Sequence, residues 1–241
     1  MKKLTLIQHF ILYITLLPEI FPLIFCILFY KKLNTKALKV FFVYTIILCV
    51  FAIVNLILSI IISNTLMQLF LLRLFNIFEY SILALFLYHT FKAPFFKKAV
   101  LFSIIPFIIY AFGDYLAHDR TQFNNHSNIV SALLLIVFIV YFFYEKMNTV
   151  VMYPLYQSIS FWICVALLLY FAGSFFFFLF IKSGVNRGLM NNIYAAVAIL
   201  KNILLCLSLF ASERVDNEDD ALHIPNDLDL DELSLTNPKN L

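Results

Sequence analysis

The chain has 241 residues, 63% of them hydrophobic and only 13% charged, with 29 Phe and a formal net charge of +3. Its mean hydropathy is +0.94. This composition lies outside the range of a soluble globular domain and points to a polytopic membrane protein with the lipid bilayer as its first partner and no nucleic acid expected.

A hydrocarbon core of about 30 Å takes roughly 20 helical residues to cross, and the alternating strand pattern of an outer-membrane barrel is absent. A helix satisfies its own backbone in lipid, so the expected fold class is all-α, a seven-helix transmembrane bundle. The apolar runs place spans at Ile7 to Tyr30, Ala37 to Ile62, Leu66 to His89, Lys97 to Leu116, Asn128 to Tyr144, Leu155 to Ile181 and Met190 to Ala211. Between them fall Lys31 to Lys36, Ser63-Asn64-Thr65, Lys92-Ala93-Pro94, His118 to Ser127, Glu145 to Pro154 and Lys182 to Gly188, all rich in polar or helix-breaking residues. The fifth span is the shortest. Residues 1–211 form the transmembrane domain, and residues 212–241 form an acidic tail.

The first span follows Lys2 and Lys3, but its apolar run is too long for a signal peptide and no small-residue cleavage site closes it, so it is expected to stay in the mature protein. Glu19 sits near its middle, bracketed by Pro18 and Pro22. Each proline removes a backbone donor, which predicts a kink where the carboxylate lies. The second span carries Asn55. On the third, Arg73, Asn76 and Glu79 recur every three residues, so the polar stripe drifts around the helix.

Asp114 and His118 close the fourth span at i, i+4 spacing, with Asp119 and His126 nearby. Polar residues at a helix end produce such spacing by chance, and no metal is assigned. In the sixth span Gly173-Ser174 is not a nucleophile elbow and has no buried His as base, so its expected role is close helix packing. The seventh places Asn191, Tyr194, Ala195, Ala198, Lys201, Asn202 and Leu205 on one face, and the small alanines predict that this face points inward. Cys26, Cys49, Cys164 and Cys206 lie apart inside spans without C-x-x-C spacing, and neither a disulfide nor a zinc site is expected.

Glu19, Glu79 and Lys201 fall within about two residues of the midpoints of their spans, hence at one depth. A charge at bilayer depth costs roughly 2.5–3.5 kcal/mol on insertion scales, so each must face protein or water. A carboxylate and the ammonium are expected to neutralise each other, and the second carboxylate needs Arg73 or a proton. Glu19, Glu79, Lys201, Arg73, Asn76 and Asn202 form the expected polar cluster. It can be a structural ion-pair network, a sensing or ligand site, or a proton or ion pathway. A lysine on the seventh helix with a third-helix carboxylate invites a retinal Schiff base, but the aromatic wall such proteins carry around the ligand is absent, with Trp162 the chain's single Trp. No cofactor is expected, and no enzyme activity.

The tail from Ser212 holds nine of the fourteen acidic residues against Arg214 and Lys239. It cannot bury enough apolar surface to fold alone, so it is expected to be disordered. Leu222, Leu228, Leu230, Leu233 and Leu235 suit it to order on a cytoplasmic protein partner. Lys31, Lys32, Lys36, Lys39, Lys92, Lys97, Lys98 and Lys146 collect beside alternate loops, which predicts the N-terminus outside and the C-terminus in the cytoplasm, although Lys2 and Lys3 favour the reverse.

Four stretches, Pro18-Glu19-Ile20-Phe21-Pro22, Phe78-Glu79-Tyr80, Ser160 to Gly173 and Ile199-Leu200-Lys201-Asn202-Ile203-Leu204, resemble those of uncharacterised seven-helix membrane proteins of Bacteroidota-type bacteria. The likeness spans about Leu4 to Ala211. In that group the helices resemble the membrane input regions of sensor kinases. The resemblance implies a bacterial inner-membrane location and a signalling role, and supplies no catalytic residues. The expected function is a non-enzymatic sensory or interaction module. The alternative is a small proton-coupled carrier using Glu19, Glu79 and Lys201, weakened by an odd helix number without evident repeats.

Overall fold

The structure is a computed structural model that describes residues 18–58, 65–117, 126–148, 157–180 and 187–211. Secondary structure among these residues is helical: α1 (Pro18–Leu28), α2 (Lys36–Ile57), α3 (Thr65–Thr90), α4 (Pro94–Ala117), α5 (His126–Asn148), α6 (Ile159–Phe180) and α7 (Arg187–Ser208), with a 3-10 turn at Tyr30–Lys32. Five helices, α2 to α6, are long and apolar enough to cross a membrane. The apolar part described is shorter in α1, at Pro18–Leu28, and in α7, at Asn192–Ser208. The acidic tail, Lys2, Lys3 and His118 lie outside the described residues.

The helix boundaries follow local chemistry. Thr35 caps α2, its hydroxyl accepting from the Leu38 N–H at 3.3 Å. Pro94 opens α4, because the first turn has no use for the N–H that proline lacks. The expected first span ran through Tyr30, yet α1 ends at Leu28, where the chain tightens into the 3-10 turn. The expected fifth span, Asn128 to Tyr144, proves 23 residues long and not short: His126, Ser127, Glu145 and Lys146 all continue α5. A helix end that reaches the polar boundary need not stop at its last apolar residue, and Glu145 gains a partner by staying helical.

That partner is the start of α4. The Glu145 carboxylate accepts from the backbone N–H groups of Lys92, at 3.1 Å, and Ala93. A negative charge there meets the positive end of the α4 dipole. At the same end of the bundle Lys32 donates to the Leu209 carbonyl at 3.1 Å and the Ala211 carbonyl at 3.4 Å. This is the complementary arrangement, a cation on the carbonyls that close α7. One contact ties the α1–α2 junction to the end of α7, and the other ties the α3–α4 junction to the end of α5.

α3 occupies the middle, packed against α2, α4 and α5, while α6 lies between α5 and α7. Its lower half is buried nearly all round: Glu79, Tyr80, Leu83, Ala84, Phe86 and Leu87 are all inside. Tyr80 points to α4, its hydroxyl 2.7 Å from that of Ser103. α1 lies along α7, with Phe25 and Phe29 edge-on to Phe210 at 5.8 and 5.2 Å. Elsewhere the outside is as apolar as the inside. On α4, Phe102, Ile105, Ile109 and Phe112 face outward at helical spacing, the arrangement lipid requires and water penalises.

Candidate functional site

The helices line a partly open cavity of about 280 Å³ where α1, α3 and α7 carry Glu19, Glu79 and Lys201. α3 contributes Asn76 and Glu79, one turn apart. α7 contributes Tyr194 and Lys201, two turns apart. α1 brings Glu19, α5 brings Asn128 and Ser131, and α6 brings Tyr170 and Ser174. Helical spacing explains each pair, because residues three, four or seven apart share a face. The predicted inward face of α7 is seen from Tyr194 through Ala195, Ala198, Lys201 and Leu205, all buried or half-buried, while the Asn191 side chain lies outside the described residues.

Glu79 is buried and accepts a hydrogen bond from the Tyr44 hydroxyl at 3.0 Å. Lys201 is only 2% exposed, and its ammonium lies over the Tyr170 ring, 4.3 Å from the centroid. The Tyr170 and Tyr194 hydroxyls meet at 3.2 Å. The Lys201 charge attracts both carboxylates through space, and Glu19 and Glu79 repel each other. Among the described residues no direct hydrogen bond or ion pair joins Lys201 to either carboxylate. The expected neutralisation thus acts through space, with tyrosines as the contacting groups. A tyrosine supplies what a carboxylate or an ammonium can each use in an apolar setting, a hydroxyl donor or a negative ring face.

Asn76 and Ser131 show how the polar side of the cavity is wired. Ser131 Oγ lies 2.8 Å from Asn76 Oδ1 and 3.0 Å from the Asn128 carbonyl, while Asn76 Nδ2 has no partner. One hydroxyl proton cannot serve both acceptors. Turning the isosteric amide over lets Nδ2 donate to Ser131, lets Ser131 donate to Asn128, and leaves Oδ1 as the one unfilled atom. Ser174 Oγ, on the far wall, is buried without a partner as well.

Of the six expected cluster residues, Glu19, Asn76, Glu79 and Lys201 line this cavity. Arg73 does not. Six residues before Glu79 it lies about 9 Å along the helix axis and on a different face, where its guanidinium covers the Tyr115 ring at 5.1 Å and lines a separate small cavity. It is not the counter-charge for the second carboxylate. Asn202 is also displaced, because one step along α7 turns it roughly 100° from Lys201. It is buried beneath an apolar groove between α1 and α7, neither atom of its amide hydrogen-bonded among the described residues. Asn55 is half-buried and lies outside the cavity lining.

Sequence reasoning missed Tyr44, Asn128 and Ser131. Their signal was present as polar groups at helical spacing within apolar runs, but such residues only acquire meaning once their neighbours on other helices are known. Gly173 behaves as the packing residue expected: a Cβ built there would lie 2.7 Å from Val197 Cγ1 of α7. All four cysteines are free thiols, and among the described residues no three metal-ligating side chains gather.

No protein-family model, curated protein or solved structure matches the chain.

Proposed function

We propose that the protein is a seven-span, non-enzymatic sensory module of a bacterial inner membrane, in which the polar cavity receives a ligand and residues 212–241 carry the response to a cytoplasmic protein. The observation that carries this reading is the cavity itself, with Glu19, Glu79 and Lys201 on its walls and an amide atom of Asn76 and the Ser174 hydroxyl unfilled beside them. A purely structural network is expected to close its hydrogen bonds on itself, since buried polar groups left unpaired cost stability. Unfilled groups around a void are what a ligand site keeps ready.

The basic end of the bundle supports the orientation. Lys31, Lys32, Lys36, Lys92, Lys97, Lys98 and Lys146 flank the α1–α2 and α3–α4 junctions and the end of α5, and short basic loops are retained in the cytoplasm. In that orientation the last described residue, Ala211, lies at the cytoplasmic end, in keeping with a tail that meets soluble partners.

Crosslinking in cells, with the full chain compared against one ending at residue 211, tests the output. A regulatory partner captured only by the full chain is the expected result. Proteoliposomes test the rival carrier: pH-dependent flux in the intact protein, abolished by Glu79→Gln and indifferent to removal of the tail, would overturn the sensory reading.

A further inference from the structure

The described residues lining the cavity carry two carboxylates, Glu19 and Glu79, against one ammonium, Lys201. One negative charge is left over when all three are ionised. A charge in such a place must be met by a proton or by a cation, because its desolvation is too costly to leave open. We infer that the cavity takes a small organic monocation, an amine with an apolar body, whose N–H groups are accepted by Glu19, Glu79 and the Asn76 amide oxygen. The inference rests on the cavity being a ligand site, as proposed above.

Three features favour an organic cation. Lys201 is spent on the Tyr170 ring and hydrogen-bonds neither carboxylate, so their acceptor positions facing the cavity stay open apart from the one Tyr44 fills. With the Asn76 amide turned so that Nδ2 donates to Ser131 and Ser131 donates to Asn128, Asn76 Oδ1 is left as a third buried acceptor on a residue that lines the cavity. The remaining wall is aromatic, with Phe51 stacked on Phe75 at 3.9 Å and Phe177 against Tyr194 at 4.7 Å. Ring faces attract cations and cover apolar bodies, so this wall suits a cation that carries an apolar body. A zwitterion would leave the charge unbalanced. The volume, roughly nine waters' worth, suits a molecule of about ten heavy atoms.

The test uses the purified full chain in nanodiscs at fixed pH and ionic strength, with calorimetry and thermal shift as readouts. The probes are phenethylamine, the isosteric phenethyl alcohol, hydrocinnamate, and sodium and potassium chloride. Phenethylamine is expected to bind about tenfold or more tighter than the alcohol, because the alcohol leaves the carboxylates unmet. Glu19→Gln and Glu79→Gln should each weaken it by about tenfold or more, and Arg73→Gln, outside the cavity, should not. Should a carboxylate variant fail to fold, Ala132→Phe keeps every charge, places a ring in the void and is expected to weaken binding by about tenfold or more. Equal or tighter binding of the alcohol or hydrocinnamate would overturn the amine inference and leave the ligand site standing. Binding of no organic probe, or binding unchanged by Ala132→Phe, would overturn both. Binding of sodium or potassium in preference to the amine would replace the organic cation with a metal cation.

Discussion

The ammonium of Lys201 lies 4.3 Å from the centre of the Tyr170 ring, and the Tyr170 hydroxyl meets that of Tyr194 at 3.2 Å. A lysine on the seventh helix is thereby held by the sixth through a ring face, with the carboxylates acting from farther off. Tyr170→Phe keeps the ring and loses the hydroxyl contact, a cost of about 1 kcal/mol. Tyr170→Leu removes the face itself, worth about 2 kcal/mol for a desolvated cation, and abandons Lys201 among apolar neighbours. The expected order of melting temperatures in detergent is wild type, then Phe, then Leu. A Phe variant as unstable as Leu would show that the hydroxyl, not the ring, restrains the lysine.

Glu79 and Lys201 attract across the cavity without touching, and the strength of that attraction is measurable. Glu79→Gln leaves Lys201 with one carboxylate at a distance, and Lys201→Met leaves two carboxylates that repel each other. Both single changes should destabilise, and the double variant should be more stable than their sum predicts, by a coupling of about 0.5–3 kcal/mol. Additive losses would mean that the two charges are held independently by Tyr44 and Tyr170. Unfolding monitored in the same detergent for all four proteins closes the cycle.

How much of this was legible in the chain differs from residue to residue. The helical, membrane-embedded character follows from composition and run length, as do the positions of α2 to α6 to within a few residues. Glu19, Glu79 and Lys201 were visible because a charge in the centre of an apolar run has no cheap alternative to facing the protein interior. Arg73 was assigned to the same cluster through the stripe it forms with Asn76 and Glu79, and Asn202 through a face shared with Lys201, and helical rotation separates both from the cavity. Tyr44, Ser131 and Asn128 could not be assigned, since an amphipathic residue in an apolar helix is compatible with either the lipid or the core until its neighbours are placed. The Lys32 and Glu145 contacts depend on residues more than fifty positions apart, a distance over which local patterns carry no signal.

Gly173 sets the spacing of α6 and α7. Any β-carbon there would press on Val197, with 2.7 Å to Cγ1 and 3.3 Å to Cβ. Valine in a helix has essentially one side-chain rotamer, so it cannot swing aside. Gly173→Ala should therefore destabilise by about 1–3 kcal/mol despite alanine's better helix propensity. Adding Val197→Ala removes the methyl groups in the way and should recover most of the loss. Stability that Val197→Ala fails to restore would place the tightness of this interface in the backbones themselves. Since Tyr170 and Lys201 each lie about one turn from the contact, amine binding is expected to weaken in Gly173→Ala and return in the double variant.

Glu145, in the last turn of α5, ties that helix to the start of α4. Its carboxylate takes the N–H groups of Lys92 and Ala93, donors that precede Pro94 and have no partner within α4. Glu145→Ala removes both acceptors and the negative charge, and should cost about 0.5–2 kcal/mol, the range for losing a helix cap. Glu145→Gln keeps one carbonyl oxygen without the charge and should fall between. Hydrogen exchange locates the effect: the amides of Lys92 and Ala93 are expected to exchange faster in Glu145→Ala, ahead of those deeper in α4. Uniform acceleration along α4 would instead mean that the cap holds the whole helix in place. Because Lys146 and Lys92 flank the same contact, loss of the carboxylate also leaves this end of the bundle more basic, so the Ala variant should bind anionic lipid more strongly than the wild type in a vesicle flotation assay.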